Sequence, residues 1–116
     1  MLENIGSTIM ILLGLISLFK PVRMGNILGL EIKNQLGVSE IRATYGGFFI
    51  ALGIMCFIFN LTNIFIVVGV SWTGAFIGRF ISAILDKGFS YKNIIGMGIE
   101  FTMGVLFLFN SLKIDI

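Results

Sequence analysis

Two charged residues lie inside stretches that are otherwise apolar, and they are the best candidates for chemistry in this sequence. Arg79 lies six residues before the end of an apolar run at Leu85, and Glu100 lies six residues after the start of another at Ile94. A charge at the bilayer centre costs about 2.5–3.5 kcal/mol, so such residues normally face protein and find a partner. At about 1.5 Å per helical residue, both lie ~9 Å from the same boundary. Opposite charges at equal depth predict an ion pair.

Further polar residues are expected at the same end. Glu40 and Arg42 lie at the start of another apolar run, the second along the chain, and Tyr45 follows them. Asp86 lies two helical turns beyond Arg79. The predicted candidate site, which is either a ligand-binding site or a buried charge cluster, comprises Glu40, Arg42, Tyr45, Arg79, Asp86 and Glu100.

The elements that must position these residues are membrane helices. The chain of 116 residues is 57% hydrophobic and 12% charged, with a mean hydropathy of +1.04, whereas soluble domains carry about 25% charged residues. A membrane helix needs about 20 mostly apolar residues. We therefore predict one all-α domain over 1–116, a four-helix transmembrane bundle. Its spans lie at about 2–19, 41–59, 64–85 and 94–112.

The connections differ in composition. Lys20 and Pro21 end the first span, since proline disfavours helix at the preceding residue. The segment 24–39 is less apolar and is predicted to be a loop, either lying at the membrane interface with one amphipathic turn or simply connecting two spans. The segment 86–93 is predicted to be a loop in which Gly88 breaks the helix.

Small residues at helical spacing mark places where membrane helices can pack closely. One stripe places Gly96 and Gly104 one turn on either side of Glu100, and a second places Gly74, Gly78 and Ser82 beside Arg79. The residues predicted to serve helix packing are Gly46, Gly47, Gly74, Gly78, Gly96 and Gly104.

The basic residues predict the orientation. The first and third loops with their edges hold Lys20, Arg23, Lys33, Arg42, Lys87 and Lys92, whereas the opposite side holds Lys113. Because basic residues concentrate in cytoplasmic loops, these two loops are expected in the cytoplasm and both termini outside.

Several function classes find no support in the composition. A net charge of +2 gives no basic footprint for nucleic acid. Without histidine, and with Cys56 as the single cysteine, the chain offers no disulfide, no Cys/His metal site and no cofactor site. No catalytic residue set is recognisable, so an enzyme is the weakest reading.

The run Ser39–Gly47 resembles the signature of a family of small bacterial four-helix membrane proteins, domain of unknown function 4345, which is similar to the DoxX-like membrane proteins. The resemblance covers nearly the whole chain. It includes Pro21, Gly78 with Arg79, Asp86 with Gly88, and Glu100. It implies the four-helix fold, a shared polar cluster and a place in the bacterial cytoplasmic (inner) membrane, but no reaction.

Two roles are weighed for the charge cluster. In the first, Arg42 and Arg79 hold the anionic part of a small polar or amphipathic molecule, which the protein binds or transports. In the second, the charges only fix helix packing in a structural or scaffold subunit. The expected partners are membrane lipid, a small-molecule ligand, and a second copy or another membrane protein.

Overall fold

The computed structural model describes residues 1–113, and every regular element in that range is a helix. A seven-residue π-helical segment, Ile41–Gly47, joins α3 to α4 without a break. The α-helices are α1 (Leu2–Phe19), α2 (Pro21–Leu28), α3 (Gln35–Glu40), α4 (Phe48–Phe59), α5 (Thr62–Leu85) and α6 (Tyr91–Lys113).

Four helical stretches are long and apolar enough to cross a membrane, as the hydropathy of the sequence predicts. They are Leu2–Phe19, Gln35–Phe59, Thr62–Leu85 and Tyr91–Leu112, with lengths of 18, 25, 24 and 22 residues. The helix containing the second stretch begins six residues before the predicted span, because the polar turn of α3 continues directly into the π-helical segment and α4.

The predicted loop 24–39 is wrong at both ends. Pro21 begins α2, since proline at the first helical position lacks only an N–H that would be unsatisfied there. The helix ends at Gly29 (φ 78°), and the Leu30 amide donates to the Gly25 carbonyl, which is a Schellman motif. Asn34 caps α3 by accepting a hydrogen bond from the Gly37 amide at 3.1 Å. The loop proper is therefore only residues 29–34.

The turn between α5 and α6 also differs from the prediction. Lys87, not Gly88, takes the left-handed backbone conformation (φ 53°). The Gly88 amide donates to the Ala83 carbonyl at 3.0 Å, which again gives a Schellman motif. Helix α6 begins at Tyr91, so that Asn93 is helical rather than part of the loop.

The chain divides into two compact units. The N-terminal unit is Asn4–Phe59, and the C-terminal unit is Met1–Glu3 with the chain from Asn60 onward. Each unit is described by itself below.

In the N-terminal unit, α1 packs against the π-helical segment and α4 at close backbone distance. A Cβ added at Gly53 would lie 2.9 Å from the Ser7 carbonyl oxygen and 2.6 Å from Ile11 Cγ1. A Cβ added at Gly46 would lie 3.3 Å from Leu18 Cα. Leu18, near the end of α1, faces Gly46, whereas Ser7, near its start, faces Gly53, so the two helices run antiparallel. The absence of a side chain at these glycines allows the helices to approach closely.

In the C-terminal unit, α5 and α6 form an antiparallel pair. The rings of Phe65 and Phe107 lie 6.3 Å apart, and both side chains are buried. A Cβ added at Gly69 would meet Leu108 Cγ at 2.5 Å. This contact fixes the register in which the polar residues further along the two helices meet.

The predicted packing glycines divide into two groups. Gly104 lies in a close contact, because a Cβ there would come 2.8 Å from Thr73 Oγ1. Gly74 and Gly78 are exposed, and a Cβ at either would meet no atom of the described residues within 4 Å. A Cβ added at Gly47 would have one neighbour within 4 Å among the described residues, a carbonyl oxygen of its own helical stretch at 3.9 Å. The spacing of the sequence shows that small residues line one face of a helix, but it does not show whether that face contacts another helix.

Candidate functional site

The centre of the candidate site is an ion pair between α5 and α6. Arg79 Nε donates to Glu100 Oε1 at 2.8 Å, and Nη2 donates to Oε2 at 3.0 Å. The pair is therefore bidentate, which is the strongest arrangement of an arginine with a carboxylate. The contact expected from the equal depth of the two residues is present, and it lies within the C-terminal unit.

The two partners differ in exposure. The Glu100 side chain is 11% exposed, whereas the Arg79 side chain is 31% exposed. The carboxylate is enclosed by protein, as the low tendency of glutamate to reach out of the membrane requires. The site therefore leaves the arginine side chain more accessible than its counter-charge.

A third residue, which the sequence reasoning missed, completes the site. Arg79 Nη1 donates to Asn93 Oδ1 at 2.9 Å, and Asn93 Nδ2 donates to the Gly88 carbonyl at 2.6 Å. Asn93 was assigned to a loop, although it lies seven residues before Glu100 and so shares its face of a helix. Through Asn93 the ion pair is tied to the turn between α5 and α6.

Gly96 gives the guanidinium its place against α6. A Cβ added there would lie 2.9 Å from Arg79 Cζ and 3.0 Å from both Nε and Nη1. The glycine stripe around Glu100 therefore accommodates an arginine side chain as well as helix backbone. At Gly96 the neighbouring group is a charged side chain.

Asp86 lies at the same end of the C-terminal unit. It is exposed just beyond the last turn of α5, where its Oδ2 accepts a hydrogen bond from Ser82 Oγ at 2.7 Å. A second carboxylate therefore lies about two helical turns beyond Arg79, at the C-terminal end of α5.

The remaining predicted site residues belong to the N-terminal unit. Arg42 Nη1 donates to the Leu18 carbonyl at 2.6 Å, so it satisfies one of the last carbonyls of α1 and lies near the negative end of that helix dipole. The Tyr45 ring meets Phe49 edge to face at 5.8 Å. Glu40 is exposed. The convergence of these three residues with Arg79, Asp86 and Glu100 stays a prediction.

An apolar groove of about 580 Å³ lies on the surface of the α5–α6 pair. Its lining includes Phe76, Ile77, Phe101 and Val105. The Phe76 and Phe101 rings are 5.5 Å apart. Phe76 precedes Arg79 by one turn and Phe101 directly follows Glu100, so the groove begins where the polar site ends.

Substitution of Gly96 tests the close contact between the Arg79 guanidinium and the α6 backbone. We expect Gly96→Ala to lower the free energy of unfolding by about 1–3 kcal/mol, since the new methyl group must displace Arg79 or α6. Gly98→Ala is the matched control, because a Cβ at Gly98 would meet no described atom within 4 Å and alanine favours helix. Thermal unfolding in detergent measures both variants, and equal stability of the two would contradict this geometry.

Comparison with known proteins gives one result. The family model described as Domain of unknown function (DUF4345) matches residues 4–110. Neither the curated proteins nor the solved structures contain a match to the chain. A similarity to DoxX-like proteins stays a prediction. Since the match spans nearly the whole sequence, including both helices that carry Arg79, Asn93 and Glu100, the chain belongs to the DUF4345 family of domains of unknown function.

Proposed function

We propose that this membrane protein binds a small polar or amphipathic molecule at Arg79, and that Glu100 and Asn93 hold the arginine ready for it. The observation that carries the proposal is the unequal exposure of the ion pair. The Arg79 side chain is about one-third exposed, whereas the Glu100 side chain is nearly enclosed.

The electrostatics of the pair favour this role. An isolated arginine at this depth would be costly, but the Glu100 carboxylate brings the net charge of the pair to zero. The anionic group of a ligand would then approach the exposed part of the Arg79 side chain, whose guanidinium is suited to planar acidic groups. Asn93 holds Nη1 from the other direction and is the partner that a ligand oxygen could most readily replace.

The groove supports an amphipathic ligand. It is lined almost wholly by apolar side chains, and two of its lining residues, Phe76 and Phe101, lie within one helical turn of Arg79 and Glu100 in the sequence. An acidic head group at Arg79 and a hydrocarbon tail along Phe76 and Phe101 would occupy both features.

The proposal includes an arrangement of the whole chain. The four helices form one bundle in a bacterial inner membrane, similar to that of DoxX-like proteins. The first and third loops are cytoplasmic and both termini are outside.

Cysteine labelling tests the orientation. In a Cys56→Ser background, we expect Asn63→Cys to react with a membrane-impermeant maleimide on intact cells, because the proposed orientation places outside both the second loop and the first turn of α5, where residue 63 is exposed. Phe89→Cys, in the third loop, should react only after permeabilisation. Labelling in the reverse order would contradict the orientation, and labelling of both on intact cells would contradict the four-span topology.

Native mass spectrometry of the protein released gently from membranes tests the binding. We expect a retained small molecule in the wild type, and at least a tenfold lower occupancy in Arg79→Gln, because the ligand's acidic group loses its partner. Arg79→Lys keeps the charge without the planar fork and should give an intermediate result. Lys87→Gln is the control for a lost basic residue that takes no part in the ion pair. Normal occupancy in a folded Arg79→Gln protein would contradict the proposal.

A structural role is the second candidate, and the completeness of the hydrogen bonding favours it. Among the described residues, every buried side-chain nitrogen and oxygen has a hydrogen-bond partner. The ion pair and Asn93 join α5, α6 and the turn between them. A scaffold subunit would need these hydrogen bonds to fix its helices, and it would need no ligand.

A double substitution separates the two roles. Glu100→Gln alone should lower the free energy of unfolding by about 1–3 kcal/mol, between the values for exposed and buried ion pairs. Arg79→Met with Glu100→Leu should restore most of this loss, since apolar residues pack well in place of a buried pair. If the restored double variant also keeps its ligand, the polar site serves structure alone. If it is stable but carries no ligand, the binding proposal gains its strongest support.

A further inference from the structure

The N-terminal unit carries a second surface, which the proposed function does not use. It is the outer side of α2 with the loop that follows, and it will be called the loop-one surface. Its residues are Lys20, Val22, Arg23, Ile27, Leu30 and Lys33, all of which are exposed.

The inner side of α2 is fixed against the protein. Pro21, Met24 and Gly25 are buried, and a Cβ at Gly25 would lie 3.0 Å from Ile32 Cδ1 and 3.3 Å from Ile41 Cδ1. The helix therefore cannot turn to hide its outer side. Whatever covers that side must come from outside the unit.

The outer side combines large apolar side chains with basic ones. Val22, Ile27 and Leu30 are 57%, 54% and 47% exposed. Within α2, Val22, Arg23 and Ile27 fall in an arc of about 140°, at 3.6 residues per turn. Water suits the basic groups but not the apolar ones, and hydrocarbon suits only the apolar ones.

The segment carries a net positive charge. Residues 20–34 contain three basic residues and one acidic residue, Glu31, so the net charge is 3 − 1 = +2. None of the three basic residues forms an ion pair with the described part of the chain. Their charges are therefore available to an outside partner of opposite sign.

We infer that the loop-one surface lies in the headgroup layer of the membrane and binds anionic phospholipid. A short helix with apolar and basic residues on one side is suited to this layer, where the apolar groups reach the acyl boundary and the basic groups meet phosphates. The helix follows α1 directly, which brings it to the end of a membrane span. Each basic residue near an anionic surface strengthens binding about fivefold.

Quenching of a tryptophan by brominated lipid tests this inference. The reporter protein carries Ile27→Trp with Trp72→Phe, so that its single tryptophan lies on the loop-one surface. It is reconstituted in phosphatidylcholine vesicles that contain a minor share of phosphatidylglycerol, with bromine on one lipid or the other. We expect brominated phosphatidylglycerol to quench more than its share of the lipid predicts.

Three variants of the reporter protein control the measurement. K20Q/R23Q/K33Q should lose the preference for phosphatidylglycerol, whereas K20R/R23K/K33R, which keeps the charges, should retain it. Glu31→Gln should increase it. The preference should also fall when salt is raised from ~0.1 M to ~1 M, since the screening length drops from about 10 Å to about 3 Å.

Three results would overturn the inference. Quenching by each lipid in proportion to its share of the bilayer, in the parent reporter, would show that anionic lipid is not selected. A preference that survives K20Q/R23Q/K33Q would assign the selection to other residues. Absence of quenching by either lipid would place residue 27 in water or against a protein partner. All three results are independent of Arg79 and its ligand.

Discussion

The absence of water in the hydrocarbon layer is the constraint from which the rest of this structure follows. Every backbone and side-chain polar group at that depth must find its partner within the protein. Helices meet this requirement for the backbone, and they account for all regular structure in residues 1–113. Arg79 is the side chain for which the requirement is hardest to meet, and it determines how α5, α6 and their turn fit together.

Three features of the C-terminal unit are consequences of satisfying Arg79. Glu100 must lie opposite it, which fixes the register of the two antiparallel helices. Residue 96 must be small, because the guanidinium lies against α6 there. Asn93 must be helical to reach Nη1, so α6 has to begin soon after the turn. The turn is correspondingly short, and Lys87 accepts a left-handed conformation that non-glycine residues rarely adopt.

The sequence predicts those features that depend on local composition or on depth. Hydropathy reveals the four apolar stretches, and equal distance from a boundary pairs Arg79 with Glu100. Tertiary details are not accessible in the same way. The contact of Arg42 with the Leu18 carbonyl joins residues 24 positions apart, and neither local sequence predicts it. Pro21 was interpreted only as the end of α1, although proline also begins helices, and α2 was therefore missed.

The strength of the ion pair does not by itself explain why charged residues are used between α5 and α6. Membrane helices associate mainly through close packing, and polar contacts between them contribute on average only about 0.6 kcal/mol in measured cases. Apolar residues of similar volume would stabilise the helix pair about as well, without any need to bring two charges into the membrane. A purely structural role therefore leaves the charges without a sufficient reason, whereas a ligand that recognises the exposed side of Arg79 supplies one. The proposed binding role would also account for the unequal exposure of the two side chains, because neutralising Arg79 requires contact with Glu100, whereas recognition by a ligand requires access to Arg79.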